Sequence, residues 1–269
     1  MVIAGAFLGG MLGSMTGLGG GVVIVPMLAL LFHVNLRYAI GASLISVIAT
    51  SSGSAAAYVR EGFSNMRIGM FLEIATTTGA IFGAWLATRV ATADISIVFG
   101  LILLYSVYLS LRRHGNVVVA HDPWSDRLKM SGTFPTGPGE ERKYSVTRIR
   151  AGFAMMFGAG TLSGLLGIGS GAVKVLAMDS IMRVPFKVST TTSNFMIGVT
   201  AAASAGIYLY KGYIISALAA PVLLGILPGS LLGAKLLSKS QSKSLRLIFA
   251  AVILVLAIEM IYSGWTGRI

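Results

Sequence analysis

Two glycine clusters and one lysine stand out among the residues able to do chemistry. The clusters are Gly17, Gly19, Gly20, Gly21 and Gly167, Gly169, Ser170, Gly171, each set in apolar sequence, and Lys174 follows the second by three positions. Glycine opens backbone conformations closed to other residues and lets a ligand or a second segment approach closely. N–H groups freed in this way at a helix start, where the dipole is positive, suit an anion. The same glycines could instead serve close helix packing. A lysine in an apolar run needs a counter-charge. An anionic ligand would supply it, and so would an ion pair with Asp179 or Glu73, or a stem that snorkels to water.

Further donors lie in the run from Ser189 to Asn194. Hydroxyls and amides suit a tetrahedral or pyramidal oxyanion, and they also act as glue between helices in lipid. Ser193 and Asn194 are the preferred ligands, Ser193 because it repeats Ser43 in the first half. Glu73 is an ionisable group inside an apolar segment, which makes it a candidate carrier of a coupling proton, or else a partner for Arg67. Asp179 can pair with Arg183 one turn away. Enzyme chemistry finds little support. Cysteine is absent and the histidines are His33, His114 and His121, none placed to activate Ser170. Acidic residues are few and scattered, so neither a metal nor another cofactor is expected.

The elements that must position these groups are membrane helices. With 55% hydrophobic and only 11% charged residues, the chain has more apolar surface than one soluble core can hide. Apolar runs and breakers predict helices near 2–16, 22–33, 37–59, 67–90 and 95–112. A second set follows near 150–165, 171–182, 187–210, 213–237 and 245–262. The first two segments of each set, at roughly 17–24 Å, are short for a span and suit a re-entrant hairpin with the glycines at its tip. Backbone unwound at membrane depth must be buried in protein or line a wet cavity, so the two tips should meet.

The halves align without a gap at an offset of 150. Gly17, Gly19 and Gly21 fall on Gly167, Gly169 and Gly171, and Ser43 on Ser193. The frame continues through Ser54 and Ser204, Tyr58 and Tyr208, Gly62 and Gly212, Gly79 and Gly229, Gly83 and Gly233, and Phe99 and Phe249. The resulting organisation is a first transmembrane repeat over 1–113, a connecting loop over 114–147 and a second repeat over 148–269.

Charge sets the orientation. The formal charge of +12 sits in short loops rather than on one soluble face, which argues against nucleic acid. Sixteen of the Lys and Arg residues fall in alternate loops, including the 114–147 loop, and four (Arg37, Arg89, Lys211, Arg268) fall in the others. The richer set is expected to be cytoplasmic. Five segments per half then invert one repeat relative to the other, with both termini outside, as in many secondary transporters. Tyr38, Tyr58, Trp85, Tyr208, Tyr210, Tyr213, Tyr262 and Trp265 read as interfacial belts. No cleavable leader is read at Met1.

The run GLGGGVVIVPML from Gly17 to Leu28 resembles the first signature of the sulfite exporter TauE/SafE family, and GLLGIGSGAVKVLAM from Gly164 to Met178 is similar to its second glycine motif. Ser170 stands where glycine is usual, and Leu176 where proline is common. The resemblance covers nearly the whole chain. It implies a multi-pass protein of the cell inner (plasma) membrane that exports sulfite, an organosulfonate or a related small oxyanion. The partners expected are that anion and the lipid bilayer, with a homodimer allowed. A passive anion channel and a non-transporting scaffold are the rival readings.

Overall fold

The computed structural model describes residues 1–16, 19–60, 64–111, 122–137, 140–239 and 243–267. Gly17, Gly62, His114 and His121 lie outside the described residues, as do the side chains of Ser54, Tyr58 and Phe249.

Each half opens on a helix that stops at the glycines. In the first half α1 (Val2–Thr16) is followed by α2 (Gly21–Pro26), which widens into a π-turn at Met27–Leu31. Then come α3 (Leu36–Arg60), α4 (Met66–Ala87) and α5 (Thr92–Leu111). After the central segment, which carries the short α6 (Pro123–Arg127), the order recurs as α7 (Ile149–Leu166), α8 (Gly171–Leu176) with a π-turn at Ala177–Ile181, α9 (Phe186–Tyr210), α10 (Ser216–Lys239) and α11 (Lys243–Trp265). Both short helices and both π-turns fall on the 150-residue offset. Pro26 does not cause the first π-turn, because Leu176 occupies the same place before the second. Both short helices also end alike. His33 and Arg183 adopt left-handed backbone, and the next amide closes back, Val34 N to Leu28 O at 3.0 Å and Val184 N to Met178 O at 2.9 Å. That is a left-handed helix stop one residue wider than a Schellman motif, in keeping with the π-turn it closes.

Helix packing respects exchange of the halves. α1 packs on α10 as α7 packs on α4, α3 on α10 as α9 on α4, while α5 meets α11 and α3 meets α9. Lipid gives no hydrophobic drive between helices, so tight approach must come from small residues. At the α4–α7 crossing Gly79 and Gly83 face Gly160 and Gly164. A β-carbon on Gly83 would collide with the Thr161 carbonyl oxygen, and one on Gly164 with Ala80 O. The α1–α10 crossing uses Gly229, Gly233 and Gly10 in the same way, with Ser14 at the fourth position. Large apolar side chains such as Met70, Ile74, Ile81 and Phe82 on α4 face outward. Among the described residues Met66–Ala87, Ile149–Leu166 and Ser216–Gly233 are long and apolar enough to cross a membrane. The protein is therefore an all-α membrane protein.

The central segment is more structured than a plain loop. Beside α6 it holds an antiparallel hairpin of β1 (Gly132–Gly137) and β2 (Glu140–Tyr144). Asn65, at the N-cap of α4, accepts from Ile68 N at 3.1 Å and donates to Met130 O at 3.0 Å and to the Tyr144 hydroxyl at 2.7 Å. One side chain thus caps a membrane helix and anchors the hairpin to it. Met130, Tyr144 and Val146 share a buried cluster with Ile68, Leu72 and Ile149.

Candidate functional site

The glycine tips of the two halves touch. A β-carbon on Gly21 would lie 2.7 Å from Gly167 O, and one on Gly19 3.5 Å from Ile168 O. Ser43, on α3, donates its hydroxyl to Gly167 O at 2.7 Å. Gly19, Gly167 and Gly169 have positive φ, which a side chain resists. Val47 of α3 and Ile197 of α9, equivalent on the repeat frame, flank both Gly19 and Gly169 and seal the contact with apolar groups. Gly20 packs on Ile226 and Thr50. Both short helices start at this junction.

Ser170 has φ +47 and caps α8. It is 3% exposed, and its hydroxyl has no hydrogen-bond partner. The residue after it, Gly171, accepts from Ser193 Oγ at 3.4 Å, and the residue before it, Gly169, packs on Ile197. Ser170 is thereby held beside the stretch of α9 that carries Asn194, whose Nδ2 is likewise buried and unpartnered. Two of the expected ligands thus keep a free polar atom, while the hydroxyls of Ser43 and Ser193 are engaged with backbone carbonyls. Burying polar atoms unpaired is costly unless something else satisfies them.

Lys174 is fully buried, its backbone N bonded to Ser170 O at 3.0 Å. Its Nζ donates to Thr200 Oγ1 at 2.5 Å, and that hydroxyl in turn donates to Glu73 Oε1 at 2.6 Å. Thr77 also donates to Oε1, at 3.1 Å, whereas Oε2 is buried without a partner. Of the two counter-charges weighed for Lys174 the structure uses Glu73, through a hydroxyl. Arg67, weighed as a partner for Glu73, instead donates to Lys129 O at 3.2 Å. It sits at the first turn of α4, facing the central segment rather than the interior.

Thr200 escaped the sequence reading. The available signal was its match to Thr50 on the repeat frame, read together with two charges at apolar positions. Tyr208 needs a correction. Expected at an interface, it is fully buried and donates to Gly164 O at 3.2 Å. Its place on α9 turns it toward α7. Among the described residues, no cluster of three or more metal-ligating side chains occurs.

A multi-pass helical bundle that buries a charged relay beside two abutting glycine turns belongs with membrane transporters rather than with soluble enzymes. The sequence profile of the Sulfite exporter TauE/SafE family matches residues 2–260, and the chain belongs to that family. It is 30% identical over 273 residues to Probable membrane transporter protein YunE of Bacillus subtilis, covering 98% of this chain and 97% of that one. A probable membrane transporter protein of Methanocaldococcus jannaschii is 24% identical over 277 residues, covering 97% and 94%. No solved structure matches the chain.

Proposed function

We propose that the protein exports a small oxyanion, such as sulfite or an organosulfonate, across the cell inner membrane by alternating access between two inverted repeats. The observation that carries this reading is the fully buried Lys174 one turn beyond Ser170, whose hydroxyl, like Asn194 Nδ2 on α9, is buried without a partner. A buried cation and buried free donors suit an anion with several acceptor oxygens. The tips supply the backbone, with Gly17, Gly19, Gly20, Gly21, Gly167, Gly169 and Gly171 around the path and Ser43 and Ser193 releasing their carbonyls as the halves separate. The 114–147 segment and its hairpin are cytoplasmic, and both termini lie outside.

Access alternates as the paired helices α1–α10 and α4–α7 rock against the α3–α9 pair. Each of the outer pairs is stiffened by its glycine crossing, so it moves as one body. The test is binding and counterflow in proteoliposomes with sulfite, sulfate, thiosulfate, small sulfonates and carboxylates. Saturable exchange of one oxyanion, abolished by Lys174→Ala, is expected. Anion flux that survives Lys174→Ala would remove the site, and flux that never saturates would make the protein a channel.

A further inference from the structure

The relay of Lys174, Thr200 and Glu73, drawn from both halves, has no charged counterpart on the repeat frame. On the 150-residue frame Lys174 corresponds to Ile24, Thr200 to Thr50, and Glu73 to Leu223. The first-half site is built from the same parts without charge. Gly20, the counterpart of Ser170, packs on Thr50 and Ile226, and Ile24 is fully buried there. In the second half Thr76 stands in place of Ile226 and lies 3.4 Å from Thr200 Oγ1. The duplicated framework therefore does not need the charges to pack. Something else retains them.

We infer that the relay couples each transported anion to one proton, and that the substrate is accordingly a monoanion. This rests on the anion reading above. In an apolar interior the total charge must stay near zero, because an uncompensated ion is strongly disfavoured there. With the site empty, Lys174 and Glu73 balance. When a monoanion binds Lys174, the carboxylate becomes the surplus charge. It is neutralised by a proton from water on the side then open, taken at Oε2, the oxygen left without a partner. Anion and proton cross together and leave together, so no net charge moves. A dianion would leave one negative charge unbalanced and is excluded.

Thr200 supplies the switch. Its single hydroxyl proton has Glu73 Oε1 at 2.6 Å and Met196 O at 2.9 Å as its two nearest acceptors. Turning to Met196 frees Glu73 from the relay while the hydroxyl oxygen still accepts from Lys174. Other charged groups on the elements packed around Glu73 do not substitute for it. Arg67 is bonded to Lys129 O, and Arg150 at the start of α7 lies over the Trp124 ring. Asp179 sits in the π-turn beyond α8, and Lys187 in the first turn of α9.

The experiment uses the full chain in proteoliposomes with methanesulfonate, which has no membrane-permeant acid form at neutral pH, and with sulfite. At one proton per anion, a gradient of one pH unit should raise accumulation on the alkaline side by about tenfold. An imposed membrane potential should not change it. In Glu73→Gln the ratio of accumulation with and without the gradient should fall to about one, and Thr200→Val should lower it as well. Wild-type accumulation that ignores the pH gradient, or that follows the potential, overturns the coupling while leaving anion transport standing. Absence of exchange for every oxyanion tried overturns both.

Discussion

Ser43 on α3 donates its hydroxyl to the backbone carbonyl of Gly167, 124 positions further along the chain. The bond ties a long helix of one half to the glycine turn of the other. Its counterpart, Ser193, stays within its own half, bonding Gly171 at 3.4 Å. At this pair the sequence repeats and, among the described residues, the hydrogen bond does not.

Removing the tighter bond should cost more. Ser43→Ala is expected to destabilise the protein by about 1 kcal/mol, in the range of interhelical hydrogen bonds in membranes. Ser193→Ala should cost a few tenths, since a bond at the edge of hydrogen-bonding distance is weak. Thermal unfolding in detergent compares the two directly, and equal losses would contradict the geometry.

The glycine crossings set a second expectation. Gly83→Ala and Gly164→Ala push a β-carbon into a carbonyl oxygen and should cost about 1–3 kcal/mol each. Gly158 in α7 and Gly206 in α9 have no heavy atom within 4 Å of that position. Alanine there should instead be neutral or stabilising by up to about 1 kcal/mol, through helix propensity. Urea or thermal melts of the four variants separate packing glycines from incidental ones.

A buried charge pair is more sensitive to losing one member than both. Lys174→Ile or Glu73→Leu alone should cost about 3–5 kcal/mol, because each strands the other charge. The double variant should recover most of that, since it rebuilds the Ile24 and Leu223 arrangement of the first half. It should not transport. A double-mutant cycle read by unfolding gives the coupling, and additive losses would show that the two residues do not act as a pair.

Tyr144 offers a pH test outside the membrane. Burial pushes its phenol above the ordinary value of 10.0, with the hydrogen bond from Asn65 working the other way. With a folded value above the unfolded one, the neutral phenol's contribution is whole below about pH 10 and is lost as pH rises through the folded value. Hydrogen exchange across β1 and β2 should therefore quicken at strongly alkaline pH. In Tyr144→Phe that alkaline step should vanish, leaving a hairpin weakened by about 1 kcal/mol at every pH.

The helices and their breaks were legible in the sequence because they follow from local properties. Apolar length, glycine position and a constant offset placed α1, α2 with its π-turn, α3 and α9 within a residue or two of their bounds. The start of α10 was read at 213 and lies at Ser216, since apolar character does not mark where a turn ends. Lys174 and Glu73 were visible as charges in apolar surroundings. Glu73 was one of two candidate partners for Lys174, but the hydroxyl that joins them was not legible, because Thr200 is one of many threonines and its role depends on α4, α8 and α9 converging. Tyr208 shows the same limit, since a tyrosine near a helix end looks interfacial until the face it occupies is known. The hairpin beneath Asn65 was hidden for a related reason, as short polar strands leave no apolar period to read.

Composition and periodicity alone determined that this is a membrane helical protein, because the cost of exposing backbone and charge to lipid acts on every residue separately. Which carbonyl Ser43 reaches and which hydroxyl stands between Lys174 and Glu73 were decided only by tertiary structure. Those relations join residues from different helices, and no local physical rule brings them to one place.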